Sequence, residues 1–183
     1  MKHTTLLVAI MYTTILSISM GFLLSTVAML IKRGVQFKQD GLYISWLSLF
    51  LLVHFSLFWQ TAVLMEVEEW VFSSFLYLVI GPILLFIASN LLVTGVGEFD
   101  AGDLNQHFRD ISRRFFVFMA LLAVWLVSIG AELGRENSTV WYADMGLAAL
   151  ALVLVFRRTT LSDTLGVIVA WLLVVVPWML LPS

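Results

Sequence analysis

His54 stands near the centre of a long apolar segment, a depth at which an ionisable ring is costly to hold and is a functional candidate by default. Three roles suit an imidazole there. Neutral and bonded to a neighbouring helix, it ties a bundle together. As a relay it exchanges protons near neutral pH. As an axial ligand it binds haem or another metal, which usually needs a second ligand. His3 and His107 fall at other depths of the pattern, so a bis-histidine haem requires His54 from two protomers. Asp144 is the only other acid expected to enter the hydrocarbon zone, and its plainer role is an interfacial carboxylate near Arg135. With Gln60 and Glu132 it sets polar groups at successive depths, so that His54, Gln60, Glu132 and Asp144 define a candidate proton or cation path.

These residues are carried by six apolar segments, at 5–31, 42–65, 70–94, 115–133, 140–156 and 165–181. Each is near the roughly 17–25 residues that cross a bilayer as a helix. With 61% hydrophobic residues, 12% charged residues and a mean hydropathy of +1.02, the 183-residue chain leaves no soluble domain to account for. The first segment resembles a secretory leader around Ser17-Ile-Ser19, but the apolar run continues through Leu30 and is read as a span. The expected fold is all-α: a single membrane domain over 1–183 with six transmembrane helices.

Charge sets the topology. If alternate connections share a face, Lys32, Arg33, Lys38, Arg109, Arg113, Arg114, Arg157 and Arg158 fall together, and only Lys2 and Arg135 fall opposite. The positive-inside rule makes the first face cytoplasmic and both termini external. Outside, Glu66, Glu68 and Glu69 form an acidic rim with Glu132, Glu136 and Asp144, which raises the local cation concentration. Outer loops poor in basic residues are also ordinary for such proteins, so the rim alone does not establish a vestibule.

Local patterns set expectations for packing. Thr13, Ser17, Gly21 and Ser25 recur every four residues as a close-contact stripe on the first helix; Gly130 with Gly134, and Gly166 with Ala170, repeat it. Gly81-Pro82 is expected to bend the third helix. On the second helix His54 shares a face with Tyr43, Phe50, Phe58 and Thr61, while Ser45, Ser48, Ser56 and Gln60 lie opposite, so protein is expected all round it. Between the third and fourth spans, Asp103 and Gln106 have capping-box spacing. Leu104, Phe108, Ile111 and Phe115 then describe a short amphipathic helix on the inner membrane surface, bringing Arg109, Arg113 and Arg114 to lipid headgroups or a protein partner. Glu98, Asp100, Asp103 and Asn105 offer oxygen ligands, without the order of an EF-hand loop.

Several chemistries are excluded. The chain has no cysteine, no lysine within a span, no phosphate loop, no His-Glu-x-x-His pair and no nucleophile elbow. No metal site, no required cofactor and no nucleic-acid partner is implied, and haem enters only as the His54 alternative. The run from Asp103 through Arg113-Arg114-Phe115-Phe116, preceded by His54, Trp59, Glu69-Trp70 and Gly81-Pro82, resembles an uncharacterised family of small bacterial multi-pass inner-membrane proteins over 46–118. The resemblance implies a bacterial inner membrane and no activity. The expected function is ion (proton or cation) conduction or transport by a homo-oligomer. The alternatives are a non-catalytic subunit acting through a cytoplasmic protein partner and a haem- or quinone-binding protein built on His54.

Overall fold

A computed structural model of the protein describes residues 3–34, 37–64, 67, 70–93, 104–132, 138–157 and 159–180, and all six elements among them are α-helices. They are α1 (His3–Lys32), α2 (Phe37–Leu64), α3 (Phe72–Val93), α4 (Leu104–Glu132), α5 (Thr139–Phe156) and α6 (Thr160–Leu180). Five carry stretches long and apolar enough to cross a membrane: Thr4–Lys32, Asp40–Ala62, Phe72–Val93, Leu104–Glu132 and Thr139–Phe156. The apolar part of α6, Leu161–Pro177, is shorter. Helices of this length and apolarity mark a multi-pass membrane protein.

The helix ends follow from local chemistry. Gly34, at φ +67°, stops α1 in the left-handed region that glycine takes without a Cβ penalty. Asp40 leaves helical geometry (φ −118°, ψ 24°), which separates the first turn of α2 from the span behind it. One amide exposed by that break, the Tyr43 N–H, donates to Asn105 Oδ1 of α4 at 3.0 Å, so a neighbouring helix supplies the cap. Ser138 caps α5 by accepting from the Trp141 N–H at 3.1 Å. At α6 the Ser162 N–H donates to Thr159 Oγ1 and the Thr159 N–H donates to Ser162 Oγ, both at 3.1 Å, a reciprocal box with serine in place of the usual glutamate.

Within the bundle α2 is central. It packs against α1, α3, α4 and α6, while α1–α3, α3–α4, α4–α5 and α5–α6 pack as successive neighbours. Tyr43, Trp46, Leu47, Leu49, Phe50, Val53, His54 and Leu57 of α2 are buried. Protein does not surround the helix along its whole length, however: Phe55, Phe58 and Trp59 form an exposed stripe, so Phe58 leaves the face it was expected to share with His54.

Two packing expectations need correcting. On α1 the stripe of Ser17, Gly21 and Ser25 is exposed, and a Cβ placed on Gly21 would meet no atom within 4 Å. The buried seam is instead Thr5, Ala9, Tyr12, Leu16, Ser19, Leu23, Thr26 and Leu30, which alternates steps of four and three as knobs-into-holes packing requires. Larger side chains fill the groove against α2 and α3, and that apolar contact outweighs the closer approach small residues permit. The short surface helix before the fourth span is likewise not a separate element. Residues 104–116 are the first turns of α4, continuous with the span, and Leu104, Phe108, Phe115 and Phe116 are covered by protein. No glycine or proline interrupts 104–129, so nothing in the sequence turns the helix into the membrane plane.

Candidate functional site

His54 sits where α1, α2 and α3 meet, with none of its surface exposed. Its Nδ1–H donates to the Phe50 carbonyl of its own helix at 2.8 Å, which fixes the tautomer and turns Nε2 toward the neighbours as an acceptor. Ser19 Oγ of α1 lies 2.7 Å from Nε2, and Ser89 Oγ of α3 lies 3.2 Å from Nε2 and 2.8 Å from Ser19 Oγ. Ser89 Oγ also stands 2.8 Å from the Leu85 carbonyl. Two hydroxyl protons and one ring proton thus satisfy a closed cluster on three helices. Hydroxyl and imidazole groups joined this way in a membrane contribute about 0.6–1.7 kcal/mol per contact.

The Ser19–His54 contact has the separation of a nucleophile and its general base, with the Phe50 carbonyl as the orienting third group. Acyl transfer also needs space for a carbonyl and donors for its oxyanion. Ser19, His54 and Ser89 are all fully enclosed, and the open side of Ser19 is taken by Ser89. Axial ligation needs a ring nitrogen free to face the iron, and both nitrogens of His54 are engaged. The arrangement acts as a lock between helices.

Below His54 the α2–α4 contact is aromatic. The Phe50 ring stands edge-on to the His54 ring at 5.3 Å and edge-on to Phe115 at 5.3 Å. Trp46 stacks on Phe108 at 6.1 Å and meets Phe115 and Phe116 edge-on at 5.8 and 5.1 Å. The Trp46 indole N–H is buried with no hydrogen-bond partner among the described residues.

Gln60 and Asp144 belong to a different place. A cavity of about 50 Å³ lies between α2, α4, α5 and α6, and its polar lining is Ser56, Gln60 and Asp144. Two smaller cavities adjoin it, of about 20 and 30 Å³. The first runs toward Gly130, Ser138, Trp141 and Asp144; the second runs toward Tyr12 of α1 and Leu78 of α3. Gln60 and Leu126 line all three, so these two side chains form the partition between them. Roughly 10–15 Å³ admits one water, so each cavity has room for at least one. A carboxylate, an amide and a hydroxyl around such a space can hold water, a proton or a small cation.

Two tryptophans fix the helices around this space by the same device. Trp125 of α4 lies over Gly81 of α3, and its Nε1–H donates to the Tyr77 carbonyl at 2.9 Å. Trp141 of α5 lies over Gly130 of α4, and its Nε1–H donates to the Val127 carbonyl at 3.0 Å. In each pair the missing Cβ makes room for the indole, which bonds a carbonyl about one turn earlier on the glycine's helix. Tyr77 and Ser128 hydroxyls add a further α3–α4 hydrogen bond. Pro82, next to Gly81, lies inside a continuous α3. Gly166 and Ala170 also mark a close contact, because a Cβ on Gly166 would come within 2.8 Å of Leu154.

The structure therefore brings Gln60 and Asp144 to one cavity and sets His54 in a separate cluster. Glu132 is exposed at the end of α4 and does not line the cavities described. Arg109, Arg113 and Arg114 are exposed on the first turns of α4, at the opposite end of the bundle from Asp144. Glu66, Glu68, Glu69, Glu98, Asp100, Asp103, Gly134, Arg135 and Arg158 lie outside the described residues. Ser19, Ser56, Ser89, Leu126, Trp125 and Trp141 join the site without having been singled out for it. Comparison of the chain with protein-family models, curated proteins and solved structures gives no match.

Proposed function

We propose that the chain is a bacterial inner-membrane protein of six spans with both termini outside, which passes a proton or small cation and works as a homo-oligomer. The observation that carries the ionic role is the cavity holding Asp144, Gln60 and Ser56 between four helices of an apolar bundle. A carboxylate facing a cavity inside an apolar bundle carries a free-energy cost, and such groups commonly mark ion or proton paths. The described residues Lys32, Arg33, Arg109, Arg113, Arg114 and Arg157 all sit at one end of the helices, in keeping with a cytoplasmic assignment for that end. The sixth span is the apolar stretch Leu161–Pro177, lengthened by the flanking residues of α6. The same inward end would also serve a cytoplasmic protein partner, and membership of the small multi-pass family that 46–118 resembles is part of this reading.

Flux into proteoliposomes tests the ionic role. Protein reconstituted with an internal pH or cation indicator should pass ions above the rate of empty vesicles. Asp144→Asn, which keeps shape and removes charge, should lower that rate at least about tenfold, the size expected of a charge that contributes about 1.4 kcal/mol along the path. A wild-type rate equal to empty vesicles, or an unchanged rate in the variant, would remove the ionic reading.

A further inference from the structure

We infer that the outer face of α4 is a seat for one anionic phospholipid, its phosphate held by Arg109 and Arg113 and an acyl chain lying on Val117, Leu121 and Val124. On a helix of 3.6 residues per turn these five positions share one side. All five side chains are exposed, and the apolar three are 39%, 49% and 54% exposed. The stripe changes from basic to apolar at a single step, between Arg113 and Val117, as a phospholipid does between headgroup and chain. From Arg113 to Val124 the helix rises roughly 16 Å, close to half of the roughly 30 Å hydrocarbon thickness. A chain starting at the arginines therefore ends near the bilayer centre.

Charge complementarity selects the headgroup. Arg109, Arg113 and the adjacent Arg114 take part in no ion pair among the described residues, although Asp110 lies on the same turns. Their positions are fixed from behind: Phe108, Phe115 and Phe116 anchor this part of α4 to Trp46 of α2, and Asn105 caps the Tyr43 amide. Two guanidiniums one turn apart on a rigid helix match the oxygens of one phosphate, to which arginine binds through paired N–H donors. A zwitterionic headgroup places its own cation beside the same phosphate and competes with the arginines.

The inference requires only that the bundle lies in a bilayer. It uses neither Gln60 nor Asp144, so it stands or falls apart from the ionic reading. The test is native mass spectrometry of the full chain in a mild detergent, titrated with phosphatidylglycerol or with phosphatidylcholine. One phosphatidylglycerol should be retained in preference to phosphatidylcholine. In the variant with both Arg109→Gln and Arg113→Gln that affinity should fall about thirtyfold, at about fivefold for each basic residue near a headgroup. Lys32→Gln, on α1 and away from α4, should leave it unchanged. Both sets of substitutions are at exposed positions, and an unchanged helical circular dichroism signal and unfolding midpoint would verify the fold. Equal affinity in the double variant and the wild type would overturn the inference, and so would an equal loss with Lys32→Gln. Full displacement by glycerol phosphate would also overturn it, since the chain would then contribute nothing.

Discussion

Gly81→Ala should destabilise the bundle far more than an alanine at an interior helix position ordinarily does. The new Cβ would stand 2.3 Å from two atoms of the Trp125 ring and 2.6 Å from a third. Carbon atoms rest about 3.5–4.0 Å apart, so the indole must retreat by about 1.2–1.7 Å. Trp125 is only 5% exposed and is held by a 2.9 Å bond to the Tyr77 carbonyl, which that retreat would break. Overpacking costs about 1–3 kcal/mol and a lost membrane hydrogen bond about 0.6–1.7, against about 0.5–1 gained by alanine over glycine in a helix, leaving a net loss of about 0.6–4 kcal/mol, with a central value of about 2.4. Reversible unfolding in bicelles, followed by tryptophan fluorescence, would measure it. In a Trp125→Leu background the obstacle is gone, and Gly81→Ala should become neutral or slightly stabilising. Gly130→Ala should cost under about 1 kcal/mol, because its Cβ approaches Trp141 no closer than 3.1 Å. A Gly81→Ala protein within about 0.5 kcal/mol of wild type would refute the seating of the indole, as would an equal loss in the Trp125→Leu background.

In a double-mutant cycle between Ser19→Ala and His54→Leu, the coupling should be about 0.6–1.7 kcal/mol in the same unfolding assay; a coupling near zero would mean the 2.7 Å contact contributes nothing. Gly21→Leu should change stability by less than about 0.5 kcal/mol, since the face is open within one chain, and should lower the native mass in nanodiscs if copies associate through α1. A marked loss of stability at Gly21 would instead show that this face is covered inside the bundle.

Hydropathy located the helices well because each span must satisfy its own backbone, so apolar length translates directly into helix length. Boundaries were less legible where chemistry and membrane depth diverge. Residues 104–116 carry charges that suggest a surface helix, yet they continue α4 because Phe108, Phe115 and Phe116 have Trp46 to cover them. On α1 apolar residues lie all round the helix and Ser and Thr fall on both the buried and the exposed sides, so residue type hides the period of the buried seam, and the small-residue stripe that stands out faces away from α2 and α3. Gly130 and Gly166 were legible as close contacts because a glycine in a buried helix usually admits something large. The partner was not legible, since nothing in the sequence aims Trp125 at Gly81 or Trp141 at Gly130. His54 was conspicuous for its depth, but Ser19 and Ser89, the hydroxyls that satisfy it, come from helices 35 residues away on either side. Gln60 and Asp144 were legible as polar groups at successive depths, and their meeting in one cavity depended on how α2 and α5 pack around α4.

Because the chain contains no cysteine, single cysteines report water access without background, and labelling them tests the central claim most directly. Cysteines placed singly at positions 54, 56, 60 and 144, in intact cells or sealed vesicles, would be exposed to a membrane-impermeant thiol reagent from the external side. The account predicts labelling at 60 and 144, slower labelling at 56, and none at 54 until the protein is unfolded. Labelling at 54 with none at 60 or 144 would contradict it, moving the water-accessible path from the Gln60–Asp144 cavity to the Ser19–His54–Ser89 cluster.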